Sequence, residues 1–379
     1  MRRYLLKRII FFVPTLFLLV LLSFTLFRLA PGNPVDRMMM GSNSQYYQDA
    51  GEWSDQRSYW NHRLGLDLPV FYLSIGSWED NSLSRETAED TWKKFIPFLH
   101  FHPNNQFHRW FLGDNLSSRG IIRGDFGISY TSGQRVSELI ASRIGWSLFF
   151  ALFSILLAYL ISLPIGLHAA QHPSSLFTKV SSTSLIILFS LPVFWSATVL
   201  LMLFANPDIF YFFPASGVQP TGGFPDGITW IQKIRMTLPY LVIPTICYTY
   251  SSLAFLSRIF RVTISEVLKQ DFIKTARAKG LSEKVVIGKH AFRNTFLPVI
   301  TVFSSVFPSA IGGSVLLETI FSIPGMGLTI YQSIDAKDYP VLTAVFFLTG
   351  LITMAGFLLS DVMYAMADPR ISFSKKQVS

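Results

Sequence analysis

The chain has 379 residues, 50% of them hydrophobic and only 15% charged, with 35 phenylalanines and a formal net charge of +9. A soluble domain carries about a quarter charged residues, so this composition, with a mean hydropathy of +0.39, excludes an ordinary soluble enzyme. One cysteine, Cys247, excludes a disulfide framework within the chain and reads as a small buried apolar residue.

A bilayer span needs about 20 mostly apolar residues. The pattern predicts six, over 9–29, 144–169, 180–206, 238–261, 296–320 and 341–365. The first is too long for a signal-peptide core and lacks a small-x-small cleavage pattern, so it reads as an uncleaved helix. Arg28 at its end is expected to snorkel to the outer interface. Basic residues gather at the N-terminus (Arg2, Arg3, Lys7, Arg8), in the loop after the fourth span (Arg258 to Arg293) and in the tail (Arg370, Lys375, Lys376). Six spans put all three on one side, and the positive-inside rule makes that side cytoplasmic. The positive charge is therefore a topology signal with lipid headgroups as its partner, not a nucleic-acid signal.

Residues 31–143 form the one large segment on the far side, rich in aromatics such as Trp53, Trp60, Trp78, Trp92 and Trp110. That content predicts a small folded cap with short helices rather than a disordered linker. Its histidines, His62, His100, His102 and His108, show no metal-ligand spacing and read as solvated or packed side chains. No P-loop occurs: Gly288-Lys289 lacks the upstream Gly and the following Ser/Thr. Nor is there a Gly-x-Ser-x-Gly elbow, a His-Glu-x-x-His or a Cys-x-x-Cys.

The basic loop is the most informative stretch. In Asp271-Phe-Ile-Lys-Thr-Ala-Arg-Ala-Lys-Gly-Leu-Ser282, Asp271 suits a helix N-cap and Gly280 the left-handed position that ends the helix. Ser282 suits the cap of the next helix, and Phe272, Ile273 and Ala276 fall on one face. A short helix held off the membrane fits a partner's groove.

Among ionisable residues in the spans, His168 and Asp361 lie near cytoplasmic ends and Glu318 near an outer end; interfacial placement suits them better than a buried relay. The fifth span carries Ser304, Ser305, Ser309, Gly312, Gly313 and Ser314 with Pro308, and with Glu318 these are the candidates for lining a path. Small residues also let helices pack closely. The stretch Phe321-Ser-Ile-Pro-Gly-Met-Gly327 predicts an outer re-entrant turn or gate edge.

Taken together, these strings resemble the permease subunits of oligopeptide/dipeptide ABC importers. The resemblance covers most of the chain. It runs from Arg2-Arg-Tyr-Leu-Leu-Lys-Arg8 through Leu29-Ala-Pro-Gly-Asn-Pro34, Leu64-Gly-Leu-Asp-Leu-Pro69, Arg123-Gly-Asp-Phe-Gly-Ile-Ser129, Leu163-Pro-Ile-Gly166 and Leu191-Pro-Val-Phe194. It continues in Thr275-Ala-Arg-Ala-Lys-Gly280, His290-Ala-Phe-Arg-Asn294 and Leu297-Pro298, and ends in Glu318 to Gly327, Asp338-Tyr-Pro340 and Asp368-Pro-Arg370. It implies an all-α integral membrane protein with six transmembrane helices of the type I ABC importer kind and a large extracytoplasmic loop domain after the first. The implied division is an N-terminal helix (1–30), an extracytoplasmic cap (31–143), a five-helix core (144–371) holding the coupling loop 262–295, and a tail (372–379).

The resemblance further implies that Asp271, Lys274, Thr275, Ala276, Arg277, Ala278, Lys279 and Gly280 form an EAA-type coupling loop that docks on a cytoplasmic ATPase. Lys274 and Thr275 depart from the general Glu-Ala core. The implied partners are a second homologous permease, two ABC ATPases that bind ATP and Mg, and an extracytoplasmic substrate-binding protein. The setting is a bacterial inner membrane with both termini cytoplasmic, and no cofactor belongs to this chain. The long outer stretches 36–63 and 74–120 either enlarge the scoop that receives the binding protein or serve packing alone. Other readings are a permease for a non-peptide cargo such as a nickel chelate, an ATP-independent channel or carrier, or a membrane enzyme using Asp67, Asp114 and Asp125. Asp67 and Asp125 are better explained as turn residues.

Overall fold

The computed structural model describes residues 2–29, 35–36, 39, 50–76, 98–113, 119–292 and 314–367. Four helices among them are long and apolar enough to cross a membrane: Leu6–Leu29 within α1 (Arg2–Leu29), α4 (Val136–Gln171), α7 (Trp230–Leu268), and Tyr339–Tyr364 within α12 (Tyr339–Ala367). α5 (Leu176–Ser190) and α6 (Val193–Phe204) pass the same test as a bent pair, a fifth crossing if the two make one span. The protein is thus all-α and multi-pass, with four apolar spans and up to five among the described residues. The predicted fifth span lies mostly outside them, and only α10 (Val315–Ile320) represents it.

The third span departs from the straight helix expected over 180–206. α5 and α6 meet at Leu191-Pro192 with a bend of 98°. Proline lacks the N–H that would continue the ladder and its ring crowds the preceding turn. Leu191 therefore leaves the helix at ψ 125°, and the Tyr250 hydroxyl lies 3.2 Å from its carbonyl and 3.0 Å from Ser196 Oγ. Both arms pack on α7.

α4 has 36 residues and α7 has 39. At 1.5 Å per residue they run about 54 and about 58 Å, well beyond the roughly 30 Å of hydrocarbon, so their ends stand in the aqueous zone. The close approach of α4 to α7 needs Gly166, where an added Cβ would sit 2.5 Å from Phe260 Cβ and 3.0 Å from the Ser257 carbonyl. Ala158, Leu256, Phe260 and Ile264 form the buried seam there.

The chain divides into two compact units. The first comprises Met1–Phe17, Ala141–Tyr331 and Phe347–Ser379, the second Leu18–Ile140 and Gln332–Phe346. The core of the first gathers Phe150, Ala197, Ile243, Cys247, Leu317 and Phe321. In the second, α2 (Ala50–Leu64), strands β1 (Leu73–Gly76) and β2 (Phe98–Phe101), and α3 (Gln106–Phe111) follow α1. The expected short helices are present, joined by an antiparallel strand pair. A second small pair, β3 (Ala205–Asn206) with β4 (Phe210–Tyr211), lies in the first unit.

Arg28 stands one residue from the end of α1 and is half-buried. Its guanidinium lies 5.4 Å from the Phe24 ring and 6.0 Å from the Tyr339 ring, which face it within its own unit. Asp125 behaves as a turn residue, accepting the N–H of Gly127 at 3.1 Å and of Arg119 at 2.9 Å. Asp67 pairs with His62 at 2.8 Å, and that bond holds its carboxyl below the usual aspartate range. Asp114 lies outside the described residues. Among the described residues no group of three or more His, Cys, Asp or Glu could hold a metal ion.

Candidate functional site

α7 leads directly into the basic loop. There α8 (Asp271–Ala278) forms two turns, and α9 (Glu283–Val285) continues as a π-helical stretch over Val286–Ala291. The N-cap of α8 is Gln270, not Asp271; Asp271 is the first helical residue, with its carboxylate 2.8 Å from Lys274 Nζ. An acid there favours the positive end of the helix dipole.

The other end follows the sequence. Gly280 has φ +78°. Its N–H donates to the Arg277 carbonyl at 2.9 Å and the Leu281 N–H donates to the Ala276 carbonyl at 3.4 Å, the two bonds of a Schellman cap. Ser282 does precede α9, though its hydroxyl makes no capping bond.

The expected apolar face is narrower than its spacing suggests. Ile273 and Ala276 are buried against Val267, Val286 and Ala291, whereas Phe272 is 38% exposed. Asp271, Lys274, Thr275, Arg277, Ala278, Lys279 and Gly280 are exposed. Arg277 reaches forward to Glu283, with Nε–Oε1 at 2.7 Å and Nη2–Oε2 at 3.3 Å, locking the two halves of the loop. α8 is thus fastened by one face to its own loop and leaves the other exposed.

Of the path candidates, Ser304, Ser305, Ser309, Gly312 and Gly313 lie outside the described residues. Ser314 caps α10, its hydroxyl oxygen accepting from Leu317 N–H at 3.4 Å. Glu318 is not interfacial: it is fully buried. Ser147 Oγ donates to Glu318 Oε1 at 2.7 Å and accepts from Met326 N–H at 2.7 Å, while Glu318 Oε2 accepts from Leu328 N–H at 3.0 Å. The carboxylate thereby satisfies orphan amides in the first turn of α11 (Met326–Ala336). Gly325 is required because an added Cβ would stand 2.6 Å from both Glu318 Cδ and Ser147 Oγ. The glycines of Pro-Gly-Met-Gly thus serve a folded-back turn after α10. His168 meets Ser175 Oγ at 3.3 Å, and Asp361 forms an ion pair with Arg8.

A second buried carboxylate stands in the Asp338-Tyr-Pro340 string, with nothing in the sequence to indicate its partners. Asp338 accepts from Ser129 Oγ at 2.5 Å and from the N–H groups of Tyr130 and Thr131 at 3.1 and 3.2 Å. Two strings that stand far apart in the chain, Arg123 to Ser129 and Asp338 to Pro340, meet here. Burial pushes the Tyr130 hydroxyl above its usual range, with Arg28 opposing the shift.

Residues 162–373 match the family of binding-protein-dependent transport system inner membrane components. The chain belongs to this family. It is 32% identical over 375 residues, 98% of its own length and all of the relative's, to the oligopeptide transport system permease protein AppB of Bacillus subtilis (strain 168). It is 30% identical over 381 residues, 96% of this chain and 97% of the relative, to the di/tripeptide transport system permease protein DppB of Pseudomonas aeruginosa (strain UCBPP-PA14). Against a solved structure of the MetNI methionine ABC transporter in inward-facing conformations, the TM-score is 0.43 at 15% identity, over 60% of this chain and 96% of that one. As an inner-membrane component of such a transport system, this multi-pass permease is a transport subunit and not a catalyst. The segment after α1 is part of the length it shares with these relatives.

Proposed function

We propose that this permease forms half of the translocation pathway of an ATP-driven importer whose cargo is peptide. The names of its relatives support the cargo: oligopeptide, di/tripeptide and, in Agrobacterium fabrum (strain C58), peptidoglycan transport. The observation that carries the coupling role is the split of α8 into a buried face, Ile273 and Ala276, and an exposed polar face running from Asp271 to Arg277. A two-turn helix is marginal alone; packed on its own loop it can transmit force.

In this reading the chain contributes six spans, with both termini and α8 on the cytoplasmic side. α8 seats in a groove of one of two ATPases, which bind ATP and Mg. A second homologous permease completes the cavity, and an extracytoplasmic binding protein delivers the peptide. ATP binding closes the ATPases, moves α8 and, through α7, opens the cavity outward; hydrolysis returns it inward. Ser304, Ser305, Ser309, Gly312, Gly313 and Ser314 line the path, with Glu318 holding the turn at its edge. Reconstitution tests the reading: uptake of peptide should require the ATPases and ATP. Uptake by this chain without them would sink it in favour of a channel or carrier.

A further inference from the structure

The strand pair of the second unit carries its faces the opposite way from a water-soluble ladder. In antiparallel register Leu73 pairs with Phe101, Ser74 with His100 and Ile75 with Leu99. Period-two alternation puts Leu73, Leu99 and Phe101 on one face and Ser74, His100 and His102 on the other. The apolar face is the open one, with Leu73 55%, Leu99 57% and Phe101 67% exposed. The polar face is satisfied internally: His102 Nε2 lies 2.8 Å from Ser74 Oγ, and the His100 and His102 rings stack at 6.2 Å.

A slip of one residue would exchange the faces, but the register is tied on both sides. His102 N–H donates to the Tyr72 carbonyl at 2.8 Å, and Phe107 N–H to the Val70 carbonyl at 3.1 Å. Gln106 Nε2 adds bonds to the Leu66 and Leu68 carbonyls at 3.0 and 2.6 Å. The outward apolar face is therefore built into the fold.

α1 sets the depth of this ladder. Phe71, two residues before β1, packs edge-on against Phe24 at 5.8 Å, and Phe107 and Trp110 of α3 pack on the same ring at 5.3 and 5.1 Å. Phe24 lies about 7.5 Å along the axis from the Leu29 end of α1. The ladder thus begins at the boundary between hydrocarbon and headgroups, where aromatic side chains concentrate.

We propose that the face formed by Leu73, Leu99 and Phe101 dips into the lipid leaflet at the Leu29 end of α1, so that phospholipid acyl chains cover it. Continuity favours lipid over a protein partner: Leu22, Leu26 and Leu29, on the same stretch of a bilayer-spanning helix, are also exposed. The ladder acts as an interfacial anchor that holds the aromatic cluster around Phe24 against the end of the span.

Environment-sensitive labels test this. Replacing Cys247, the one cysteine of the chain, with alanine allows a reporter to be attached through Leu73→Cys, Phe101→Cys or, as an aqueous control on α2, Ser54→Cys. The assembled complex in nanodiscs leaves both membrane faces open, so the result does not depend on the orientation proposed above. Labels at 73 and 101, on different strands, should lose emission to nitroxide-bearing acyl chains and resist aqueous iodide, with the reverse at 54. Iodide quenching at 73 and 101 would overturn the proposal. So would protection from both quenchers, which would place a protein on that face.

Discussion

Replacing Gly280 with valine isolates the C-terminal end of α8, the helix proposed to dock on the ATPase. The residue sits at φ +78°, and nothing lies within 4 Å of where a Cβ would stand. A Cβ therefore meets no neighbour, and the conformational term leads. The left-handed region costs an L-residue about 1–2 kcal/mol. Leaving it would forfeit the bonds from Gly280 to Arg277 and from Leu281 to Ala276, each contributing about 0.5–1.5 kcal/mol net. Either route displaces the docked helix by about 1–3 kcal/mol, roughly 5- to 150-fold in its population. In proteoliposomes containing the whole transporter, with phosphate release and peptide uptake measured together, Gly280→Val should keep hydrolysing ATP while uptake per ATP falls by that order. Gly280→Asn, which tolerates the left-handed region, should retain most of the coupling. Unchanged uptake per ATP in the valine variant would refute the argument.

Gly166→Val should lower the thermal midpoint in detergent, because overpacking the α4–α7 contact costs about 1–3 kcal/mol; Gly145→Ala, with open space around it, should not lower it. Glu318→Ala strands the Ser147 hydroxyl and the Leu328 N–H, each unsatisfied group costing about 1–3 kcal/mol, so protease cleavage within 321–327 should accelerate; Ser147→Ala should do the same to a lesser degree. Ile273→Ala removes the buried anchor of α8 at a cost of about 2–5 kcal/mol, and amide exchange over 271–281 should quicken while that of α12 does not. Asp67 has a depressed carboxyl pKa, so its pairing with His62 stabilises the turn above the ordinary aspartate range and is lost as pH falls through the depressed value. Amide exchange at Gly65 and Leu66, followed down the acid range, checks that sign.

What could be read from the sequence was the local part. Apolar length located the four long spans and the bent pair among the described residues, and Gly280 announced its left-handed turn because only a residue without Cβ adopts it freely. Leu191-Pro192 broke a run that hydropathy alone reads as continuous, since a window average does not register one missing N–H. The shift of the cap from Asp271 to Gln270 is a single residue, within the usual uncertainty of helix ends. The exposure of Phe272 follows from the curvature of two turns against a small cluster, where only Ile273 and Ala276 reach inward. The buried carboxylates were illegible for a different reason. Ser147 and Glu318 are 171 residues apart and Ser129 and Asp338 are 209 apart, and no local periodicity encodes which distant hydroxyl an acid will meet. A motif such as Pro-Gly-Met-Gly reads as a turn; that its glycines make room for Glu318 emerges only once the chain is folded.

The central claim, that α8 seats on an ATPase, is tested most directly by cross-linking from its exposed face. A photoreactive residue at Lys274 or Ala278, in membranes expressing the whole transporter, should give a covalent adduct with a P-loop ATPase, and the same residue at Ile273 should not. Adducts with lipid alone, together with peptide uptake that proceeds without ATP, would contradict the account.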